Sequence, residues 1–534
     1  MSKRVFLMAA VLAQLFSAHP AMAESVKFDI SEFSVEGNTL LPLSNDEIQK
    51  ILAPFTGSGR DMADVNKAAD VLRALYHNAG YSVVQVIPPV QTITKGKVVL
   101  KVVEDKIISI DVKGNSAYDA DNIRASLPAL QVGKSLNAKH LEAAIALANE
   151  NSAKQVAVNV QPGANLGDIS TRIDVTEDRI TKFVATLDNT GSAATGYTKI
   201  GLAYQDANLF NLDHALTLQY SGSPDSISKT GSINAGYHMP LYEYGLSLDF
   251  IAAYSSSNTQ NGAIYFAGKG TVLGARLNYA LDSIGEFRHK LIFGVDYKDT
   301  NNSYTACTGT CGSITEQPMS LTYFAQMARP EFQGSGNVTL VSNLSGGSNS
   351  SFADYQTARV TVGTLLATPV WDILRFNANA AIPLPEDWQV RATLNGQYTR
   401  DLLLPAEQFG AGGATAFVRG YPERVASGEK GYAANLELYT PDINKYLDMT
   451  DSSLRMLVFW DGAKVTLNDQ YPVAMGNIDT TTDLSSYGLG LRFSYMKDLN
   501  LKIDVGWAQK QVPFGTGLTT KNDVRGHLAF SYIF

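Results

Sequence analysis

The sequence predicts two small α+β domains, each of order β-α-α-β-β, followed by a transmembrane antiparallel β-barrel. Three observations carry this. Two units of like grammar repeat between residues 26 and 178. A period-two alternation of apolar and polar residues then runs from Arg179 to Phe534. The chain also ends on an aromatic residue at the close of one such strand.

The chain has 534 residues and opens with MSKRVFLMAAVLAQLFSAHPAMA. Lys3 and Arg4 form a basic start, Val5 to Phe16 an apolar stretch, and Ala21-Met22-Ala23 a small-residue cleavage site. This is the three-part pattern of a secretory signal peptide over residues 1–23, with Glu24 the first residue after cleavage. The apolar stretch is shorter than the ~20 residues a spanning helix needs. Export without a helical anchor leaves the periplasm, the medium or the outer membrane.

Composition narrows the class. Charged residues make up 18% and the formal net charge is −8, which argues against a nucleic-acid partner. A mean hydropathy of −0.06 excludes a multi-span helical membrane protein. Two cysteines, Cys307 and Cys311 in CTGTC, exclude a disulfide scaffold, but an exported protein can oxidise such a pair into a small loop. No HExxH, paired CxxC, GxSxG elbow or glycine-rich phosphate loop occurs, so no metal, cofactor or catalytic residue is expected.

The first repeat unit, placed at 24–104, starts with the strand FDISEFSVEGN. Helices follow around Asn45–Leu52 and from about Asp64 to His77, then the strands SVVQVIPP and KVVLKVVED. The second unit, 105–178, opens with IISIDVKGN, continues through helices near Asp121–Leu127 and Ala138–Asn151, and closes on QVAVNVQP and DISTRIDVTED. VEGN recurs as VKGN and VVED as VTED. Val65, Ala68, Ala69, Val71, Leu72 and Leu75 recur at helical spacing, as do Leu141, Ala144, Ile145 and Leu147. Two small domains without a binding role would read the same way. The sharper reading is that each three-stranded sheet leaves an edge to which an extended chain can add as a further strand.

From Arg179 onward, Tyr487, Leu489, Leu491, Phe493 and Tyr495 alternate with Gly488, Gly490, Arg492 and Ser494. Leu501, Ile503, Val505 and Trp507 alternate with Lys502, Asp504 and Gly506. A soluble sandwich alternates too. Here the off-face residues suit a watery lumen, and the apolar faces begin or end in aromatics that suit interfacial girdles. Sixteen strands allow about 22 residues for each strand and connection, enough for membrane strands of ~10. HLAFSYIF puts Leu528, Phe530, Tyr532 and Phe534 on one face, the form of a last strand whose terminal aromatic is read by the barrel-assembly machinery of the outer membrane.

Residues 408–439 read QFGAGGATAFVRGYPERVASGEKGYAANLELY. This stretch resembles the transporters of two-partner (type V) secretion, the TpsB family of haemolysin and haemagglutinin secretion/activation proteins (ShlB/FhaC/HecB). The resemblance implies two periplasmic POTRA domains, a sixteen-strand barrel in outer-membrane lipid, and a lumenal loop (about 405–432) carrying VRGY. Val418, Arg419, Gly420 and Tyr421 match that motif without change. It further implies that Arg419 pairs with an aspartate of an F-x-D-x-G wall pattern, here Phe459 and Asp461, with Ala463 standing where the last glycine is expected. Family members often carry an N-terminal plug helix. Here Glu24 leads almost directly to the strand at Phe28, so the loop is the expected obstruction. The implied partner is an unfolded secreted exoprotein. An insertase of the same superfamily and a diffusion porin are the alternatives.

Overall fold

The structure is a computed structural model that describes residues 26–534 except 193–194, 227–229, 257, 262–263, 268, 302–312, 345, 359–366, 448–449, 469–479 and 515–516. The expected signal peptide and the Cys307–Cys311 pair lie outside the described residues. Two compact units are formed: Met1–Ile110, Ala129–His140 and Val160–Thr171 in one, and Asp111–Pro128, Leu141–Asn159 and Arg172–Phe534 in the other.

The first α+β domain contains β1 (Phe28–Ile30), β2 (Glu32–Glu36), α1 (Asn45–Leu52), β3 (Gly57–Arg60), α2 (Met62–Asn78), β4 (Gln85–Ile87) and β5 (Lys97–Val103). Its main sheet has the order β2-β5-β4, with β2 parallel to β5 and β4 antiparallel. Ser44 and Glu47 cap α1 reciprocally, and Asp61 caps α2 through the Ala63 and Asp64 amides. Two details depart from the sequence reading. The opening strand is broken: Ser31 donates its N–H to Gly96 O, so β1 pairs with β3 while β2 joins the main sheet. β3 (GSGR) has no apolar alternation by which to be read. On α2 the buried stripe is Val65, Ala68, Ala69, Leu72 and Tyr76, while Val71 faces solvent.

The second α+β domain contains β6 (Lys106–Lys113), α3 (Ala120–Ala125), α4 (Ala138–Ala148), β7 (Lys154–Pro162) and β8 (Asp168–Glu177), with sheet order β6-β8-β7. The repeated endings now have a physical reason. Gly37 and Gly114 have φ of 82° and 83°, and a Cβ on either would overlap the carbonyl of Val102 or Val175. The glutamates of VVED and VTED each clasp the turn after that glycine. Glu104 accepts from the Thr39 and Leu40 amides, and Glu177 from those of Ser116, Ala117 and Tyr118. Turn and closing strand are tied in the same way twice.

At the start of β7, Lys154 is buried, with Nζ 2.5 Å from Asp213 Oδ2. Tyr242 donates to Asp213 Oδ2, and Asn151 Nδ2 donates to Asp213 Oδ1. Burial pushes the Lys154 ammonium below its ordinary range, against the pull of Asp213. Asp213 belongs to a barrel turn in which Phe210, Asn211 and Asp213 all have positive φ, a conformation held from outside by these contacts.

The barrel strands are β9 (Thr181–Asp188), β10 (Lys199–Leu209), β11 (His214–Gly222), β12 (Gly231–Leu241), β13 (Leu246–Ser255), β14 (Lys269–Ala280), β15 (Phe287–Asn301) and β16 (Pro318–Arg329). They continue as β17 (Phe332–Asn343), β18 (Trp371–Pro383), β19 (Gln389–Tyr398), β20 (Lys430–Tyr439), β21 (Ser452–Thr466), β22 (Thr481–Tyr495), β23 (Leu499–Ala508) and β24 (Val524–Ile533). Sequential neighbours pair antiparallel, and β24 closes on β9. The Phe534 amide adds a bond to Phe183 O, and the Tyr532 and Phe534 rings meet edge to face at 4.7 Å. The alternation has the predicted sense: Tyr487, Leu489 and Tyr495 lie on the outer surface while Ser486 and Gly488 are buried inside. Leu202, Ile233, Phe293, Leu321, Leu340, Leu436 and Trp460 continue the outer apolar belt.

Burial raises the Glu177 carboxyl, but its three amide donors outweigh this and hold it below the ordinary carboxylate range. A depressed folded-state value gives stability that is present at neutral pH and lost as pH falls through it. Acidification below about pH 4 should therefore loosen the second domain, read as faster proteolysis around Ser116. Glu177→Gln should remove that acid sensitivity and leave the domain looser at pH 7.

Candidate functional site: the lumenal loop and its wall

The connection from β19 to β20 enters the lumen. Its stem is a short hairpin of Phe409–Ala411 with Ala426–Gly428. Gly412 (φ 109°) and Gly413 (φ 86°) turn the chain, with their amides donating to Ala416 O and Val418 O at 2.8 Å each. Arg424 ties the stem by donating to Gln408 O at 2.9 Å, and Glu423 closes over the Ala414 amide at 2.7 Å. The tip is therefore internally ordered before it meets the wall.

Arg419 is 7% exposed and Asp461, on β21, is 0%. Arg419 Nε and Nη2 donate to Asp461 Oδ2 and Oδ1, both at 2.8 Å, and the Arg419 amide adds a bond to Oδ2 at 3.1 Å. This fork fixes orientation as well as position. Nη1 donates to Glu437 Oε1 at 2.7 Å and lies 3.5 Å from Asp504 Oδ1. The guanidinium carbon sits 3.5 Å from the Phe459 ring centroid. Asn435 Nδ2 donates to Asp461 Oδ1 at 2.9 Å, and Arg492 completes the set against Asp504 at 2.8 Å. Two cations thus face three carboxylates drawn from β20, β21 and β23.

The rest of the motif packs where only small or matched groups fit. Gly420 has φ 88°, and a Cβ there would lie 3.0 Å from the Gly506 carbonyl carbon, so loop and wall backbones touch. The Gly420 amide donates to His527 Nε2 at 3.0 Å, which requires that nitrogen to be unprotonated. Tyr421 Oη donates to Lys510 O and accepts from the Lys510 amide, at 2.9 and 3.0 Å. Val418 and Tyr421 are fully buried against Phe409, Ala411, Leu484 and Ala508. Ala463 also faces this cluster, its methyl filling space at the position where a glycine is expected, while a Cβ on Gly462 would meet the Trp460 ring.

All four loop residues singled out in the sequence lie with Phe459 and Asp461 at one place. Tyr532 and Phe534 lie apart, at the barrel seam. The sequence reading places Arg492 and Asp504 on the lumenal phase without giving them a role, and Glu437 and His527 escape it. The signal for them was weak but physical: each is a titratable residue on the inward phase of a membrane strand.

Residues 167–493 match the family described as haemolysin secretion/activation protein ShlB/FhaC/HecB, and residues 28–105 match the ShlB-type POTRA domain. The chain belongs to that family. It is therefore an outer-membrane secretion transporter of the two-partner type rather than an enzyme, with POTRA structure in the periplasm. It is similar to the heme/hemopexin transporter protein HuxB of Haemophilus influenzae, 20% identical over 491 residues that cover 88% of this chain and 82% of that protein. Among solved structures it is similar to CdiB from Escherichia coli (TM-score 0.74, 18% identity, 97% of this transporter and 92% of that chain). It is also similar to BamA from Haemophilus ducreyi lacking POTRA domains 1–3 (TM-score 0.51, 15% identity, 95% and 100%). These structural likenesses show the fold.

Breaking a buried ion pair on one side costs about 3–5 kcal/mol, because the remaining charge is stranded. Arg419→Ala should free the loop tip, read in planar bilayers as larger and more frequent openings. Arg419→Ala with Asp461→Ala should release it less than the single change. Identical currents in wild type and both variants would show that other contacts hold the tip.

Proposed function

We propose that this transporter binds an unfolded exoprotein on the edge of a periplasmic sheet and passes it through the barrel, with the VRGY loop as the element that must yield. The observation that carries the reading is the free side of β7. Asn149 covers that side only at Val156, donating to its carbonyl at 3.1 Å and accepting from its amide at 2.7 Å. Backbone groups alternate along a strand, so Val158 and Val160 point the same way, and no strand among the described residues pairs there. Four main-chain groups are open to an added strand, which supplies affinity with little demand on side chains. Nothing in the periplasm supplies ATP, and folding of the cargo outside is the driving force this arrangement allows.

Arg419 and Asp461 are, in this reading, the latch, and Tyr421 and Gly420 seat the tip. Tyr532 and Phe534 form the signal read during assembly, and outer-membrane lipid covers the apolar belt. Val160→Pro removes one outward amide without touching a ladder bond. It should lower the amount of exoprotein in the medium several-fold while barrel assembly and heat stability stay unchanged. Undiminished secretion would move the docking edge elsewhere.

One observation favours the insertase alternative. The seam between β24 and β9 has five ladder pairs, Ala529↔Asp188 to Ile533↔Val184, extended at its ends by bonds from Phe534 to Phe183 and between Asn189 and Leu528, a short ladder that could part sideways. A disulfide staple through Ser531→Cys and Thr186→Cys, which face each other, separates the readings. Secretion that survives the oxidised staple supports passage through the lumen. Secretion that stops on oxidation and returns on reduction supports a lateral opening.

A further inference from the structure

Below the latch, at the end of the lumen where β15, β19, β21 and β23 begin, lies a cavity of about 1060 Å³. Five basic side chains line it: Arg288, Arg391, Arg455, Arg492 and Lys502. The acids on its wall are Glu286 and Glu437. Both are already engaged, Glu286 by Arg329 and Glu437 by Arg419. Arg455 is held by Asp387 at 2.9 Å and Arg492 by Asp504 at 2.8 Å. Arg391 stacks over the Tyr439 ring at 4.4 Å and donates to Gln389. Among the described residues, Arg288, Arg391 and Lys502 have no carboxylate partner.

We infer that this vestibule is an anion-attracting mouth that receives acidic stretches of unfolded polypeptide. Three uncompensated cations share one recessed aqueous space, and low-dielectric walls focus their field into it. Rings of Arg and Lys are the arrangement that favours anions in a pore. The guanidiniums can also take carboxylates in bidentate fashion, which fits side chains of an extended acidic chain. Arg492 and Glu437 line the vestibule and also belong to the latch, so a carboxylate that engages Arg492 competes with Asp504 directly beneath the loop tip. The choice of cargo rests on the secretion reading given above. The charge of the mouth does not.

The purified full chain in planar bilayers under a KCl gradient tests this. Wild type should show a reversal potential of the sign set by chloride. Arg288→Gln with Arg391→Gln and Lys502→Gln should move it toward zero or past it. Oligoglutamate added on the POTRA side should block the current at about tenfold lower concentration than oligolysine, and the triple variant should lose that preference. Cation selectivity in wild type, or a triple variant with unchanged selectivity and block, overturns the inference. Anisotropy of labelled oligoglutamate on the detergent-solubilised chain at low salt reads the same surface without current, and equal binding by wild type and triple variant overturns it too. Changed selectivity and block in the triple variant with exoprotein secretion undiminished would count against the secretion reading alone.

Discussion

A strand in hydrocarbon has no water to bond, so each of its amides and carbonyls must find a partner on a neighbouring strand. That requirement closes the sheet from β9 round to β24, and the rest of the architecture follows from closure. Once the sheet is closed, one phase of each strand faces lipid and the other faces a wide lumen. The lipid phase takes Leu340, Leu436 and Trp460 because nothing polar can be tolerated there. The lumenal phase can carry Asp461, Glu437, Asp504 and Arg492, charges that no soluble core of this size would gather. A lumen this wide must also be filled, and the chain fills it with its own β19–β20 connection.

Filling a lumen with a loop raises an entropy problem, since ordering a segment costs on the order of 1–2 kcal/mol per residue. The stem hairpin, the paired glycines at 412–413 and the Arg424 and Glu423 bonds meet most of it locally. A second tie lies at the root of the loop, where Glu407 is enclosed between Lys298 and Arg375 on the wall. The tip then needs only orientation, and a bidentate guanidinium–carboxylate pair supplies it.

The sequence showed what local rules impose and lost what the barrel register imposes. Alternation around Tyr487–Tyr495 was legible because a membrane strand has no freedom to break phase. The repeat was legible because Gly37 and Gly114, with Glu104 and Glu177, perform one geometric task twice. Arg419 and Asp461 were legible through a compact motif. Glu437, Asp504 and His527 sit 18 to 108 residues from Arg419 and meet it only through strand pairing, so no local pattern announces them. The split of the first strand was hidden because Ser31 leaves the chain through a backbone bond to Gly96, which no side-chain pattern encodes.

An ionic latch suits the yielding loop proposed above. An apolar plug of similar area would be held by the hydrophobic effect, and releasing it would expose that whole area to water. A buried ion pair contributes far less than its geometry suggests, because the desolvation of both partners offsets most of their attraction. In the proposed passage its groups would exchange partners with the polypeptide, one hydrogen bond at a time, without stranding a charge. Phe459 under the guanidinium and Gly506 against Gly420 add fit without much buried apolar surface. The tip is thus specified strongly in position and weakly in energy, the combination that the proposed passage of a chain would require.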